Sequence, residues 1–446
     1  MNLLERIYPD KKILFVIFFF FFTSQVFLFI KNLYPFLIEY HPYALLKCES
    51  YKNNCRLLRM EDLRFFYDTQ AQKLVPLPEL FLSPESFKPL EKGYVEAQIE
   101  GQIVVLVPYR EVFWQELFQR LSKNLKLLLT FIFGLILLRY FSNINPKKLK
   151  DKRLIYALVG LSLLSLIAVA IKKYLSHSPT PVRWLFGTSI QPSEFSKVIL
   201  ILFLAYYISN KGSLRRWQNF LWVMGIVLLH ALLLLIQPDL GMAFFVLLLS
   251  ATLIWVGGVA KHIVIGSLSI FSAFVAGAFY LFFSKHVGER LRGWLDPFAD
   301  PYDAGYQIIK SLQAITNGGF WGTGLGKGLH AATYIRESDT DYVISLIVEN
   351  VGIVGFVFIL LLQLILITRL LRISYSIHDT FDRIVIIGVA LNIAYSVLVN
   401  YAMAFNLLPP KGIALPFISY GISSNLSHII GLGLVGSIYR KYSNVY

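Results

Sequence analysis

A polar stretch from residue 284 to 341 contains most of the side chains in this sequence that could carry out chemistry. It lies between two long apolar runs and contains seven carboxylates: Glu289, Asp296, Asp300, Asp303, Glu337, Asp339 and Asp341. Six basic residues are interspersed with them: Lys285, Arg290, Arg292, Lys310, Lys327 and Arg336. A carboxylate can remove a proton from an attacking hydroxyl, and cations can neutralise a developing negative charge. Because ionisable groups at the edge of a membrane bundle usually serve function, the sequence predicts a functional site here.

Asp341 stands where this polar stretch meets the next apolar run. Thr340 or Asp339 is placed to cap a helix that begins here, which would put Asp341 in its first turn, where the helix dipole favours a carboxylate. Position alone leaves two interpretations open. Asp341 is either a functional acid or a support for the start of the helix.

A second polar group opens the apolar run at 191–197, which reads QPSEFSK. Pro192 suits the first turn of a helix, and Glu194 and Lys197 stand three residues apart on one helix face. They form either a local ion pair or a contact with substrate. His230, inside a later apolar run, is interpreted as a packing residue. The sequence has no zinc-type spacing of Cys and His, no Walker-type phosphate loop and no Gly-x-Ser-x-Gly.

The elements that must position these residues are membrane helices. The 446 residues are 56% hydrophobic and 15% charged, whereas a soluble protein has about 25% charged residues. The net charge of +15 would suggest nucleic acid in a soluble protein. Here the excess lies in short loops between apolar runs, where it fits membrane orientation and anionic lipid. We therefore expect an all-α polytopic membrane protein that binds no nucleic acid.

Ten apolar runs are long enough to cross a bilayer. They are predicted at 13–30, 125–140, 154–171, 192–208, 217–236, 241–256, 263–283, 342–367, 384–405 and 422–438. Ten spans put both termini on one side, and the short segments on that side are rich in Lys and Arg. By the positive-inside rule both termini are predicted to be cytoplasmic. The large loop at 284–341, between the seventh and eighth helices, then faces outward.

Between the first two spans the sequence predicts a small α+β ectodomain at 32–123 that also faces outward. It would follow a first transmembrane helix at 1–31 and precede the main helical bundle at 124–446. Apolar residues alternate over 95–99 and 103–107, which predicts a β-hairpin.

An amphipathic helix is predicted to connect this ectodomain to the second span, because apolar residues recur at helical spacing: Trp114, Leu117, Phe118, Leu121 and Leu125. The same ectodomain contains the two cysteines of the chain, Cys48 and Cys55. Their spacing leaves both a disulfide and two free thiols open.

Motifs spread along the chain resemble those of one known family. They start with Arg183-Trp184 and the 191–197 stretch. They continue through Pro238-Asp239-Leu240-Gly241, Asp300-Pro301, Gly305-Tyr306-Gln307, Asn317-Gly318-Gly319, Gly322, Gly324-Leu325-Gly326, Thr340-Asp341-Tyr342 and Leu415-Pro416-Phe417-Ile418-Ser419-Tyr420-Gly421. Each motif is weak singly, but together they are specific and resemble the SEDS family of FtsW-like and RodA-like proteins.

The resemblance implies a ten-helix bundle with a large outer loop between helices seven and eight, in a bacterial inner membrane. It also implies a peptidoglycan glycosyltransferase that polymerises lipid II, the undecaprenyl-pyrophosphate-linked disaccharide peptide. Such enzymes work with a class B penicillin-binding protein, among other divisome or elongasome membrane proteins. The family's proposed catalytic aspartate lies in a His-Thr-Asp-Phe stretch that matches 339–342 here, so Asp341 takes that role. The resemblance further suggests a divalent metal, Mg²⁺ or Mn²⁺, with Asp341 and Asp339 as candidate ligands.

The predicted substrate-binding residues follow from the negative charge that develops on a departing pyrophosphate. The outward-facing cations that could neutralise it are Arg183, Lys197, Arg292 and Lys411. Glu194 and Ser419 complete the predicted substrate-binding set.

The sequence departs from the family pattern at several points. Asp339 replaces the usual His, Val348-Glu349-Asn350-Val351-Gly352 has one acid where the family has two, and 420–424 lacks a glycine. The predicted ectodomain is longer than the family's loop. Lys411-Gly412 favours an FtsW-like protein over a RodA-like one. The sequence nevertheless leaves roles in division and in elongation both open. A lipid flippase or a non-catalytic divisome scaffold are the alternative functions.

Overall fold

A computed structural model describes the chain from residue 8 to residue 443 with gaps, the longest at 33–42, 48–55, 58–64, 69–72, 77–86, 90–94, 177–181, 186–189 and 283–290. Between residues 33 and 120 the description is limited to the backbone of strands and of one helix. Cys48 and Cys55 lie outside the described residues, so a disulfide and two free thiols both stay open.

Most of the described chain is helical. The α-helices are α1 (Lys11–Asn32), α2 (Tyr109–Ser142), α3 (Lys152–Ser176), α4 (Pro192–Ser209), α5 (Trp217–Ile236), α6 (Leu240–Val256), α7 (Lys261–Phe282), α8 (Tyr306–Gly318), α9 (His330–Tyr334), α10 (Val343–Tyr375), α11 (Thr380–Ala404) and α12 (Ile422–Ser443). Short 3₁₀ turns lie at Lys148–Lys150 and Pro297–Ala299. Apolar runs form helices because in lipid a helix bonds every backbone N–H and C=O within its own segment.

Seven of the described helices are long and apolar enough to cross a membrane: α1, α2, α3, α4, α5, α10 and α11. Shorter apolar helices lie in α6 and α7. The prediction of a helical, polytopic membrane protein is therefore confirmed. Each of the ten predicted spans overlaps one described helix, while the number that cross the membrane stays a prediction.

Strands occupy the backbone between α1 and α2. They are β1 (Tyr43–Lys47), β2 (Arg56–Leu57), β3 (Phe65–Asp68), β4 (Lys73–Pro76), β5 (Phe87–Pro89), β6 (Val95–Ile99) and β7 (Gln102–Pro108). One sheet has the order β2-β1-β7-β6-β5, and β3 pairs with β4. β6 and β7 are antiparallel with Ile99 opposite Gln102, which is the pairing predicted for the hairpin.

α2 begins at Tyr109, directly after β7, and runs without interruption to Ser142. The amphipathic helix predicted around Trp114 and the second span are thus one helix. It passes through residue 124, where the main bundle was predicted to begin, and the domain boundary itself stays a prediction.

The centre of the bundle is α4, which packs against α3, α6, α11 and α12. Its side chains Phe203, Leu204 and Ala205 are buried. To one side, α1 packs against α2 and α10, and the rings of Phe21 and Phe131 stack with their centroids 3.6 Å apart. The helices on either side of the strand-containing segment therefore meet.

α10 is broken at Gly352, where φ is +70°. The backbone carbonyls just before the break are free to accept other bonds: Glu349 O accepts from Thr323 N at 3.0 Å, and Asn350 O from Gly324 N at 3.1 Å. A Cβ at Gly352 would lie 2.3 Å from the carbonyl oxygen of Phe320. The loop before α9 therefore packs directly into this break, which only glycine permits.

Candidate functional site

Asp341 lies just before α10, whose N-cap is Tyr342. The prediction that Thr340 or Asp339 caps this helix is wrong, because no side chain caps it and its first turn contains no acidic residue. The backbone of residues 339–341 is instead hydrogen-bonded to a neighbouring part of the fold.

Three consecutive carbonyl groups hold this segment in place. Asp339 O accepts from the Tyr420 N–H at 2.7 Å, and Thr340 O accepts from the Ser419 hydroxyl at 2.5 Å. Asp341 O accepts from Asn400 Nδ2 at 2.8 Å. The backbone that presents Asp341 is therefore fixed by α11 and by the loop that leads into α12.

The surroundings of Asp341 favour its protonated form. Burial, followed by the negative charge of Glu337, raises the pKa of the Asp341 carboxyl to about 7. The Arg183 guanidinium opposes this rise, and the charges of Asp339 and Asp239 add to it. A carboxyl with a pKa near neutral can accept a proton at physiological pH and release it again.

Arg183 and Asp341 lie next to each other beside Gly412. A Cβ at Gly412 would lie 3.1 Å from Asp341 Oδ2 and 3.4 Å from Arg183 Nη1. Arg183 Nε also lies 3.3 Å from Asp239 Oδ2, and Asp239 is the N-cap of α6, where it accepts from the Met242 N–H. Asp239 therefore ties the guanidinium to the start of α6.

Lys411 directly precedes Gly412. Its side chain passes over the start of α6, since a Cβ at Gly241 would lie 2.4 Å from Lys411 Cδ. The structure therefore brings Arg183 next to Asp341 and places the Lys411 side chain at the start of α6, while the substrate role of both cations stays a prediction.

Glu194 and Lys197 form the local ion pair that the sequence left open. Lys197 Nζ lies 2.8 Å from Glu194 Oε2, and both side chains are buried inside the bundle. Lys197 Nζ also lies 4.8 Å from the ring centre of Phe245. The two charges therefore compensate each other inside the bundle, and the substrate role of the pair stays a prediction.

The two remaining substrate candidates differ in exposure. Arg292 is exposed and none of its described contacts links it to Asp341. Ser419 is fully buried, and its hydroxyl accepts from the Leu415 N–H at 2.8 Å while donating to Thr340 O. This geometry favours a bracing role for Ser419 over direct contact with substrate.

The proposed pair of metal ligands does not fit the geometry. Asp339 Oδ1 lies 3.1 Å from Lys31 Nζ, and Asp339 Oδ2 lies 3.3 Å from Lys123 Nζ. Burial acts to raise the pKa of Asp339, but the two ammonium groups hold it below its ordinary value. Within the described residues no group of three His, Cys, Asp or Glu side chains is arranged to hold a metal. Asp339 binds lysines here, so any cation would have to rely on Asp341.

Sequence reasoning missed four residues that shape this site. Asp239 had a signal, since it belongs to the Pro-Asp-Leu-Gly motif. Asn400, Lys31 and Lys123 had none, because each is far from Asp341 in sequence and meets the 339–341 segment only after folding.

Comparison with known proteins matches this architecture to one family. The family model described as "Cell cycle protein", for FtsW, RodA and SpoVE, matches residues 102–444. A protein of Trichlorobacter lovleyi named "Probable peptidoglycan glycosyltransferase FtsW" is 35% identical over 285 residues, which are 63% of this chain and 74% of that protein. "Stage V sporulation protein E" of Bacillus subtilis is 35% identical over 260 residues, which are 56% of this chain and 69% of that protein.

A solved structure shares the fold. It is described as "Structural coordination of polymerization and crosslinking by a peptidoglycan synthase complex". The TM-score is 0.58 at 26% sequence identity, and the match covers 72% of this chain and 90% of the chain in that structure.

Proposed function

Because the chain belongs to the FtsW, RodA and SpoVE family of cell cycle proteins, we propose that it polymerises lipid II with Asp341 as the general base. The chain is a peptidoglycan glycosyltransferase embedded in a membrane. The observation that supports this role is the position of the Asp341 carboxyl, which lies next to the Arg183 guanidinium beside Gly412. The pKa of that carboxyl is raised to about 7.

The reaction joins a sugar hydroxyl to the anomeric carbon of a lipid-linked sugar. Asp341 takes the hydroxyl proton, the oxygen forms the new glycosidic bond, and the bond between the anomeric carbon and the pyrophosphate breaks. A base whose pKa lies near the working pH accepts the proton efficiently, and such a base is usually worth about 10²- to 10⁴-fold in rate.

The departing pyrophosphate gains negative charge that the protein must neutralise. Arg183, which lies next to Asp341, and Lys411, which precedes Gly412 in the chain, are the cations that we propose for this role. A guanidinium suits this role because its planar N–H groups bind two phosphate oxygens at once. Asp239 helps to hold that guanidinium in place, so Arg183 meets the pyrophosphate already oriented. Lys197, Glu194, Arg292 and Ser419 stay weaker candidates for substrate contact.

A divalent cation, Mg²⁺ or Mn²⁺, is a further proposal. It has one candidate protein ligand, where the sequence suggested two. Asp341 and the oxygens of a bound pyrophosphate would hold it, without Asp339. Such a cation would neutralise phosphate charge, and the proton transfer to Asp341 does not depend on it.

The site is proposed to face outward from a bacterial inner membrane. Ten crossings with both termini in the cytoplasm place the 284–341 loop outside, consistent with the basic segments between spans. A class B penicillin-binding protein and other divisome or elongasome proteins are the proposed partners. The relatives named FtsW and the family description "Cell cycle protein" favour a role in cell division over elongation.

One experiment tests the reaction. Purified protein, alone and with its class B penicillin-binding protein, is incubated with lipid II, and the products are separated on a gel. Long glycan from the wild type, and none from Asp341→Asn, is the expected result. Transfer of lipid II across vesicles without glycan would indicate a flippase, and partner binding with neither activity would indicate a scaffold. Addition of EDTA, followed by Mn²⁺, tests the cation.

A further inference from the structure

The acidic side chain two residues before Asp341 is held by lysines from two helices. Lys31 lies at the end of α1 and Lys123 lies within α2. Each lysine binds a different oxygen of the Asp339 carboxylate, at 3.1 Å and 3.3 Å. We name Lys31, Asp339 and Lys123 the lysine bridge.

The lysine bridge binds a side chain of the segment whose backbone the hydrogen bonds already hold. Tyr420 and Asn400 bind the carbonyl groups of Asp339 and Asp341 from the α11 and α12 side. The two lysines bind the Asp339 side chain from the α1 and α2 side. Segment 339–341 is therefore held both through its backbone and through the Asp339 side chain, and the second set of contacts does not involve the loop that contains Ser419.

The two lysines differ in how much their loss would cost. The Lys31 side chain is 2% exposed and that of Asp339 is 9% exposed, so removal of either charge leaves the other buried and poorly compensated. The Lys123 side chain is 29% exposed, and water screens its interaction. Lys31 is accordingly the stronger half of the bridge.

We propose that Lys31 and Lys123 are positioning residues for catalysis, which hold Asp339 and thereby fix the placement of Asp341. This inference rests on the proposed function, because it concerns the same reaction. It assigns Asp339 a structural task in place of a second catalytic acid or a metal ligand. It also links the catalytic loop to α1 and α2, the two helices that enclose the strand-containing segment.

The test compares four variants of the full-length protein in lipid II polymerisation. Lys31→Gln and Lys123→Gln each remove one charge, and Lys31→Arg keeps the charge that Lys31→Gln removes. Lys126→Gln is the matched control, since Lys126 is an exposed lysine on α2, three positions from Lys123. We expect kcat to fall roughly tenfold or more for Lys31→Gln and less for Lys123→Gln, because misplacement of a catalytic group lowers the chemical rate. KM should stay within about twofold of the wild-type value.

Rescue by Lys31→Arg separates positioning from folding. Its kcat is expected to approach that of the wild type, and Lys126→Gln should not differ from the wild type. Amide hydrogen exchange over residues 338–343 measures the same contact without the reaction, and exchange should be faster in Lys31→Gln. Should Lys31→Gln fail to fold, Lys123→Gln still removes one charge, from a partly exposed side chain. The double variant Lys31→Arg/Lys123→Gln then shows whether a charge at position 31 compensates for that loss.

Two results would overturn the inference in distinguishable ways. Wild-type kcat and wild-type exchange in both glutamine variants, beside an inactive Asp341→Asn, would refute the lysine bridge alone. A wild-type protein that makes no glycan with its partner would refute the proposed function, and the inference with it.

Discussion

Replacement of Asp341 by asparagine separates the chemical role of this carboxyl from its effect on stability. The substitution keeps the size of the side chain and removes the group that accepts a proton. We expect the polymerisation rate to fall by about 10²- to 10⁴-fold, which is about 3 to 5 kcal/mol of activation free energy. Initial rates of glycan formation at saturating lipid II measure this loss.

The same substitution is expected to stabilise the folded protein at neutral and alkaline pH. Burial and nearby carboxylates raise the pKa of Asp341 from 3.8 to about 7, so folding disfavours the charged form. One pKa unit corresponds to about 1.4 kcal/mol, which gives an upper limit of about 4 kcal/mol. We expect about 1 to 3 kcal/mol, since the side chain is only partly shielded from solvent and screening reduces the cost.

The pH dependence has a definite sign. The folded protein binds the Asp341 proton more tightly than the unfolded chain does, so this group destabilises the wild type as pH rises from about 4 to about 7. The stability difference between Asp341→Asn and the wild type should open across that window and stay constant above it. Thermal unfolding in detergent at about pH 5 and about pH 8 measures the difference.

A matched control is Asp303→Asn, which removes an exposed carboxyl from the same loop. Because this side chain is exposed, the substitution should change neither the polymerisation rate nor the thermal stability. Near-full glycan synthesis by Asp341→Asn would refute its role as base. A stability difference that does not vary with pH would refute the account of its raised pKa.

The remaining predictions concern the buried ion pair, the cations proposed for the pyrophosphate and the strand-containing segment. Glu194→Lys or Lys197→Glu alone should destabilise the protein by about 3 to 5 kcal/mol because a buried charge loses its partner, and the double swap should restore folding by size-exclusion chromatography; wild-type stability of both single variants would contradict this. Arg183→Gln and Lys411→Gln should each lower the polymerisation rate about a hundredfold. Arg183→Gln should also move the pH profile of the polymerisation rate to higher pH, since the guanidinium lowers the pKa of Asp341. An unchanged pH profile would exclude that contact. Replacement of residues 48–107 by a short Gly/Ser linker should reduce co-purification of the class B penicillin-binding protein more than the basal rate, and equal recovery with unchanged activity would leave the segment with neither role.

The helices were the most predictable part of the fold. A bilayer requires long apolar runs that bond their own backbone, so helices such as Trp217–Ile236 and Leu240–Val256 lie within a residue or so of their predicted bounds. The hairpin over 95–107 was predictable for a different reason, because alternation and a short turn are both local features. Asp341 became the candidate base through its motif, since position alone left its role open.

Contacts between distant parts of the chain were beyond sequence reasoning. No local pattern pairs Lys31 or Lys123 with Asp339, or Asn400 with the carbonyl of Asp341. The predicted cap by Thr340 or Asp339 failed for the same reason. A capping pattern assumes that the residues before a helix are free to turn back on it, but here they bond to residues 400–420.

The length of α2 determines how far the strand-containing segment lies from Asp339. Lys31 lies at the end of α1, whereas α2 begins at Tyr109, well before Lys123, yet both lysines reach the Asp339 carboxylate. At about 1.5 Å per residue, α2 extends roughly 20 Å beyond the level of Asp339 before it meets β7. The sheet is therefore joined to the bundle at the N-terminal end of α2. In the outward orientation proposed above, this separation would place the sheet where the outer domain of the proposed penicillin-binding partner could contact it.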